Sequence, residues 1–355
     1  MKKPTYIQNP EMYDVFYNHV GEYCIVGPAF DSPPIKLVIG CENSQYDFEV
    51  FICPRKHTNV YKCKHEKFYN KVSLIVGNTT ITDVTVNRYM SFSDKIIMST
   101  LVRNEDSYIR QWIEYHRLLG VEGFIIYDNS GYTGHEPKLS PETSSDLETV
   151  LVDYISCGLV ELIDWPYRYR RKHGNNKEHN SAQTSQQCHS IHMFQDSMLV
   201  GCLDIDEYVN VSNSNWIGLR EFFVNYMKSE NLELSKVSGF VLRSKSFINK
   251  NRQPDSGYEF MRVYDCSEVH KVRRRKTFVN PKNVRIFATH DVINPVDRTR
   301  KRKIISGDHI YINHYMSNNK KNFGLSRRHL KRFDRPVQTD DTIMFMYDKL
   351  RDCGK

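Results

Sequence analysis

Residues 95–129 read KIIMSTLVRNEDSYIRQWIEYHRLLGVEGFIIYDN. The first eight, 95–102, are almost continuously apolar, the pattern of a strand buried on both faces. After Arg103-Asn104-Glu105-Asp106, the residues Ile109, Trp112, Ile113 and Leu118-Leu119 recur at three- to four-residue spacing, which predicts a helix. Asn104 or Asp106 can cap its start and Gly120 can end it. Residues 122–127 return as a second strand that stops at Asp128-Asn129. Strand, helix and strand with a short return form a βαβ unit, so the fold class is α/β.

The alternation continues outward. Helices are expected near 146–157, 181–198 and 216–228, and strands at 159–164, 199–203 and 237–242. The polar, basic stretch 167–180 reads as an exposed, mobile loop. Upstream, the segments 35–39, 46–52, 72–76 and 81–86 are β-branched and separated by turn residues. The expected organisation is a small β-rich module over 1–93, an α/β domain over 94–335 and a tail over 336–355.

Composition removes several classes. A chain of 355 residues that is 39% hydrophobic and 12% aromatic has ample core material and is not disordered in bulk. No run approaches 18 apolar residues, and no apolar stretch follows the basic N-terminus, so neither a spanning helix nor a secretory signal is expected. Nine cysteines without a Cys-x2-Cys pair read as reduced thiols, and a cytoplasmic location follows as an expectation. The net charge of +8 is uneven. Residues 262–335 hold 20 Lys and Arg against 6 Asp and Glu, which is +14 and leaves −6 for the rest. The basic runs at 273–276 and 298–303 raise a nucleic-acid binder or metal-dependent nuclease as the rival class. Against it, the chain has no basic base-reading helix, RNA-recognition signature or zinc-finger spacing, so no nucleic-acid partner is expected.

The most informative polar feature is Asp204-Ile205-Asp206, which follows the apolar run 199–203. Ligands of open α/β sheets bind beyond the carboxyl ends of strands. Carboxylates one residue apart lie on the same side of an extended chain, and their oxygens suit Mn²⁺ or Mg²⁺. Such an ion can hold a diphosphate and neutralise a departing one. Arg103-Asn104-Glu105-Asp106 and Asp128 have the same placement after their own strands, suited to the polar edges of a ligand.

These residues carry a likeness. The stretch 102–129 resembles the opening signature of glycosyltransferase family 92 and its bacterial and viral relatives, and Leu203-Asp204-Ile205-Asp206-Glu207-Tyr208 resembles that family's D-x-D-E plus aromatic motif. Gln183 and Cys188 fall where the family places a Gln and a Cys. Lys276 to Pro281, with His290 downstream, is similar to its Lys-to-Pro segment, and His314-Tyr315 to its late His-Tyr pair. The likeness covers roughly 95–335. It implies a GT-A fold, a nucleotide-binding mixed sheet flanked by helices. It also implies sugar transfer from a nucleotide donor, a UDP-hexose such as UDP-galactose or UDP-glucose, to an oligosaccharide or glycoprotein glycan, with inversion.

By the same likeness Arg103, Asn104, Glu105, Asp128, Gln183, Asp204 and Lys276 would contact the nucleotide sugar. Asp204, Asp206 and His314 would hold Mn²⁺ or Mg²⁺. The oxocarbenium-like transition state builds charge on the leaving diphosphate, which the ion, Lys276 and the Arg273–Arg275 run would stabilise. Inversion also needs a carboxylate base. Asp291, Asp255 and Glu268 are the candidates, with Asp291 preferred because it lies between the D-x-D and the late histidine. A GT-A domain that only binds is a further alternative, which the intact D-x-D disfavours.

Overall fold

The structure is a computed structural model that describes residues 12–27, 34–39, 44–54, 58–103, 105–130, 146–169, 171–173, 177–179, 181–211, 218–247, 265–266, 275–288, 291–315, 338–339, 343 and 349. Among these the N-terminal strands are β1 (Asp14–Tyr17), β2 (Glu22–Gly27), β3 (Ile35–Ile39), β4 (Ser44–Asp47), β5 (Glu49–Ile52), β6 (Asn59–Lys64), β7 (Lys71–Val76) and β8 (Thr79–Thr85). They form two antiparallel sheets, ordered β1-β2-β6-β5 and β4-β3-β7-β8. The run 46–52, expected as one strand, is divided at Phe48, whose N–H donates to the Ile35 carbonyl. The chain there passes from one sheet to the other.

The two sheets read differently in sequence because they are buried differently. β3 alternates buried and half-buried residues, with Ile35, Leu37 and Ile39 turned into the space between the sheets. β1 and β2 are buried on both faces. Val15, Tyr17, Tyr23 and Ile25 join the core between the sheets, while Phe16, Cys24 and Val26 join a second core shared with the main domain.

The main domain opens with β9 (Ile96–Val102), α1 (Asp106–Leu118) and β10 (Gly123–Asp128), and β9 runs parallel to β10. This is the βαβ unit that residues 95–129 predict. Gly120, at φ +84°, ends α1. Its N–H donates to the Arg117 carbonyl and that of Val121 to the His116 carbonyl, a Schellman closure in which glycine takes the left-handed position without a Cβ clash. Next come α2 (Leu147–Val150), α3 (Val152–Ser156) and β11 (Val160–Asp164), then a hairpin of β12 (Arg171–His173) and β13 (Lys177–His179). The hairpin lies inside the stretch 167–180 that reads as a loop, because antiparallel backbone pairing needs no apolar alternation.

The remaining elements are α4 (Ser181–Met193), β14 (Leu199–Cys202), β15 (Glu207–Val211), α5 (Leu219–Ser229), β16 (Val237–Phe247), β17 (Asp265–Cys266), β18 (Arg275–Val279), β19 (Val284–Ala288), β20 (Asp291–Pro295), β21 (Lys301–Ile304), β22 (Ile310–Tyr315) and β23 (Gln338–Thr339). The main sheet is mixed, in the order β11-β10-β9-β14-β18-β16-β17-β23. β21 and β22 run parallel to β16, and β15 pairs with β22. β9 and β10 split their side chains between two cores: Ile96, Met98, Phe124 and Ile126 pack with α1 and α5, while Ile97, Ile125 and Tyr127 pack with α4 and the N-terminal sheet. No described helix is long and apolar enough to cross a membrane.

Candidate active site

The parallel strands bring the three polar clusters to one edge. Val102, Asp128 and Asp164 are in register across β9, β10 and β11, and β14 pairs with β9 up to Cys202 opposite Ser99. Arg103 and Glu105 therefore follow β9 at the same sheet edge where Asp128 ends β10 and Asp204 follows β14. Asp128 is buried and accepts from the Ser130 N–H at 2.8 Å. Glu105, not Asn104 or Asp106, occupies the N-cap of α1, and its side chain makes no capping bond. Asp106 instead accepts from the Asp146 N–H, tying the helix start to α2. Asn104, Asp255, Glu268, His290, Arg273 and Arg274 lie outside the described residues.

Around the D-x-D the side chains converge. Lys276, on β18, places Nζ 2.6 Å from Asp204 Oδ2 and 2.6 Å from Glu207 Oε2. Gln183 Nε2 donates to Asp204 Oδ1 at 3.2 Å, and its own Oε1 accepts from the Tyr169 hydroxyl at 3.1 Å. Glu207 Oε2 also accepts from the Asp204 N–H at 2.9 Å, closing the acidic turn on itself. His314 Nε2 lies 3.2 Å from Asp206 Oδ2, and its Nδ1 lies 3.8 Å from Glu207 Oε1. The last contact follows from register, since Glu207 and His314 are partners across β15 and β22. Asp204 keeps 42% and Asp206 28% of the side chain exposed, whereas Glu207 and Lys276 keep 2% and 4%. The two D-x-D carboxylates thus face outward over a buried ion pair.

Electrostatics follow from that layering. Burial pushes the Glu207 carboxyl above its usual range, with the Lys276 ammonium acting against the shift. For Lys276, burial opposes the charged form but Asp204 and Glu207 outweigh it, so its pKa is raised. Burial also opposes charge on His314, and Asp206 with Glu207 more than offsets it, so His314 is raised too. A buried pair of this kind adds little net stability over an apolar pair of the same volume. What it supplies here is orientation of Asp204.

Asp206 Oδ2 and His314 Nε2 are in contact with each other, and a carboxylate oxygen beside an imidazole nitrogen is a donor set whose chemistry suits Mn²⁺. Both Asp204 oxygens are engaged by Lys276 and Gln183, and among the described residues no group of three or more His, Cys, Asp or Glu is gathered around one ion position. Each carboxylate oxygen carries a second lone pair, through which Asp204 would complete the set beside those contacts.

Asp291 is not brought to this cluster. Arg275 Nη2 lies 3.2 Å from one of its oxygens and Arg302 Nη1 pairs with the other. Arg275 and Lys276 are successive residues of β18 and point to opposite faces of the sheet. The basic run 298–303 enters β21 at Lys301, and Arg300 donates to the Asn283 side-chain oxygen. Glu207 is the residue absent from the expected set of site residues. Its signal was its position directly after the D-x-D, at the start of a strand.

Comparisons with known proteins bear on the family. The sequence profile described as glycosyltransferase family 92 matches residues 97–349, well over half of the chain. A glycosyltransferase family 92 protein of rice, Oryza sativa subsp. japonica, is 28% identical over 111 residues, which are 31% of this chain and 15% of the rice protein. The chain therefore matches only a small part of that relative's length. Among solved structures, the apo WbbM bifunctional glycosyltransferase aligns over 48% of this chain and 26% of its own at 9% identity, with a TM-score of 0.27. The type III pullulan hydrolase of Thermococcus kodakarensis aligns over 42% of this chain and 39% of its own at 11% identity, with a TM-score of 0.18. Both scores are too low to carry an argument about fold or function.

Proposed function

This chain belongs to glycosyltransferase family 92, and on that premise we propose that it is an enzyme that moves a hexosyl group from a UDP-sugar to a glycan hydroxyl, with inversion. The observation that carries the reading is the outward-facing Asp204 and Asp206, anchored by buried Lys276 and Glu207 and joined by His314 at the sheet edge where Arg103, Glu105 and Asp128 also lie. Arg103, Asn104, Glu105 and Asp128 recognise the nucleotide. Asp204, Asp206 and His314 would hold Mn²⁺ or Mg²⁺, which when bound supplies Lewis-acid neutralisation of the leaving diphosphate.

The chain's own residues do the rest. Gln183 and Lys276 fix the two oxygens of Asp204, and the Lys276 ammonium adds preorganised positive charge beside the leaving group. Asp291 is a poor base for the acceptor hydroxyl, because two guanidiniums occupy its oxygens on the other face of β18. Asp255 and Glu268 are then the candidate bases.

The test is hydrolysis or transfer across a panel of UDP- and GDP-sugars with and without Mn²⁺. Asp206→Ala is expected to lower kcat by about 10²–10³-fold or more, as loss of a preorganised electrostatic group does. Full activity of that variant in folded form removes the metal role. Calorimetry that detects no UDP binding in the presence of Mn²⁺ removes the donor assignment.

A further inference from the structure

β15 begins at Glu207, directly after Asp204 and Asp206, so whatever fixes its backbone also fixes the acidic turn. One edge of β15 is paired with β22. Along the other edge, among the described residues, lies α1 instead of a strand. Alternate residues of a strand direct their backbone groups to the same edge, and Glu207 and Val209 both address the helix. Trp112 Nε1 donates to the Glu207 carbonyl at 3.0 Å. The Tyr115 hydroxyl donates to the Val209 carbonyl at 2.6 Å. The Val209 N–H donates to His116 Nε2 at 3.3 Å. Spacings of three and four residues put these side chains on one face of α1, and all of them are buried.

The state of His116 follows from its partners. Its Nδ1 lies 2.8 Å from the Trp112 carbonyl, which can only accept, so Nδ1 carries the proton and Nε2 presents its lone pair to Val209. Burial lowers its pKa to about 3, which keeps the ring neutral. The ring also stacks on Tyr208 at 5.6 Å and 15°. Apolar side chains of the same size would fill this space equally well, but would leave three buried backbone groups of β15 without partners.

We propose that Trp112, Tyr115 and His116 are positioning residues that act as a surrogate strand for β15 and hold the turn from Asp204 to Glu207 in place. The proposal rests on the reading of that turn as the transferase site. It also gives α1 two functional ends: its start adjoins Arg103 and Glu105, and its buried face grips the strand that carries Glu207.

The test compares Tyr115→Phe and His116→Phe with two references in the full chain. His116→Gln keeps an oxygen that can accept from Val209. Tyr154→Phe removes a buried hydroxyl that donates to Glu114 of α1 at 2.6 Å but does not touch β15. Amide exchange over 204–209 and nucleotide-sugar turnover per folded molecule are both measured. Tyr115→Phe and His116→Phe are expected to speed exchange over 204–209 about tenfold while β10 stays protected. They are expected to lower kcat by about 10- to 100-fold with a smaller change in KM. His116→Gln recovers part of both, and Tyr154→Phe changes neither. Exchange that is unaltered over 204–209, that rises across the whole chain, or that rises over 204–209 equally in Tyr154→Phe overturns the proposal, as does faster local exchange with unchanged kcat. If the unaltered protein turns over no nucleotide sugar, the transferase reading fails, and the exchange comparison still decides whether α1 holds the turn.

Discussion

Two 13-residue helices flank the main sheet, and they are built on opposite plans. α1 is amphipathic. Ile109, Trp112, Ile113 and Tyr115 are buried, while Arg110 and Arg117 point outward. α4, with the sequence SAQTSQQCHSIHM, is rich in polar residues, yet every one of them is buried. The difference lies in what covers them. α1 has solvent on one side. α4 is enclosed by β2 and β19 as well as by the main sheet, so its polar groups must find partners in the protein. Several do so directly: Gln186 donates to Ser99, Ser185 to Thr58, and Cys188 to the Phe287 carbonyl. His189 Nε2 meets Asp14 Oδ2 at 2.8 Å, and Asp14 also accepts from Tyr89 and Asn87. A helix made mostly of polar residues is thus the place where β1 is fastened to the main domain.

The largest expected effect that tests this contrast comes from Asp14→Ala. It leaves His189, Tyr89 and Asn87 without their shared acceptor, and urea denaturation is expected to register a loss of about 3 kcal/mol or more, since each buried group left unsatisfied costs about 1–3 kcal/mol. Turnover per folded molecule should change little, because Asp14 touches none of the acidic turn. A loss below about 1 kcal/mol, the range of an ordinary surface contact, would mean that α4 is not held from the N-terminal side.

An intermediate effect sharpens what the two helices share. Each carries a buried histidine, His116 in α1 and His192 in α4, whose pKa burial lowers to about 3. In the unfolded chain both titrate near 6.5. Because the folded values are depressed, the unfolded state binds more protons between those limits. The stabilisation is complete above about pH 6.5 and is lost as pH falls toward 3, by up to about 1.4 kcal/mol per pH unit for each histidine. Urea midpoints measured across that window should fall on acidification, and His192→Gln should remove one histidine's share of the slope. A flat profile would contradict burial of the two rings.

The smallest effect belongs to the exposed side of α1. Arg110 pairs with Asp153 at 3.6 Å, with 48% and 75% of the two side chains exposed. Arg110→Ala is expected to cost less than about 1 kcal/mol in a thermal melt and to leave turnover unchanged, because solvent screens such a pair. A larger loss would show that the outer face of α1 matters more than its amphipathic pattern implies.

Parts of this arrangement were legible in the sequence. The βαβ unit was, because a strand buried on both faces and a one-sided helix leave distinct apolar periods, and because Gly120 closes α1 where the pattern stops. The acidic turn was too, since carboxylates directly after an apolar strand have few structural uses. β1, β2 and β6 were not singled out. They mix Tyr, Cys, Lys and Asn into positions whose burial depends on a second layer, so no single-face alternation shows. The double arginine clamp on Asp291 was equally hidden, because nothing local distinguishes a carboxylate that will be paired from one left as a base.

Sequence alone determined the elements of the βαβ unit, the alternation of helices and strands that follows it, and the position of Asp204, Asp206 and Glu207 at the end of a buried strand. Those follow from periodicity and from neighbours along the chain. Tertiary structure decided which charge meets which. Lys276 reaches Asp204 across 72 positions and His314 reaches Asp206 across 108, through the pairing of β14 with β18 and of β15 with β22. It also decided that α1 would serve β15 as a neighbouring strand and that the polar face of α4 would be interior. The physical reason is range: hydrogen bonds and buried ion pairs act over a few ångströms, so a side chain's role is set by what the sheet brings within that distance.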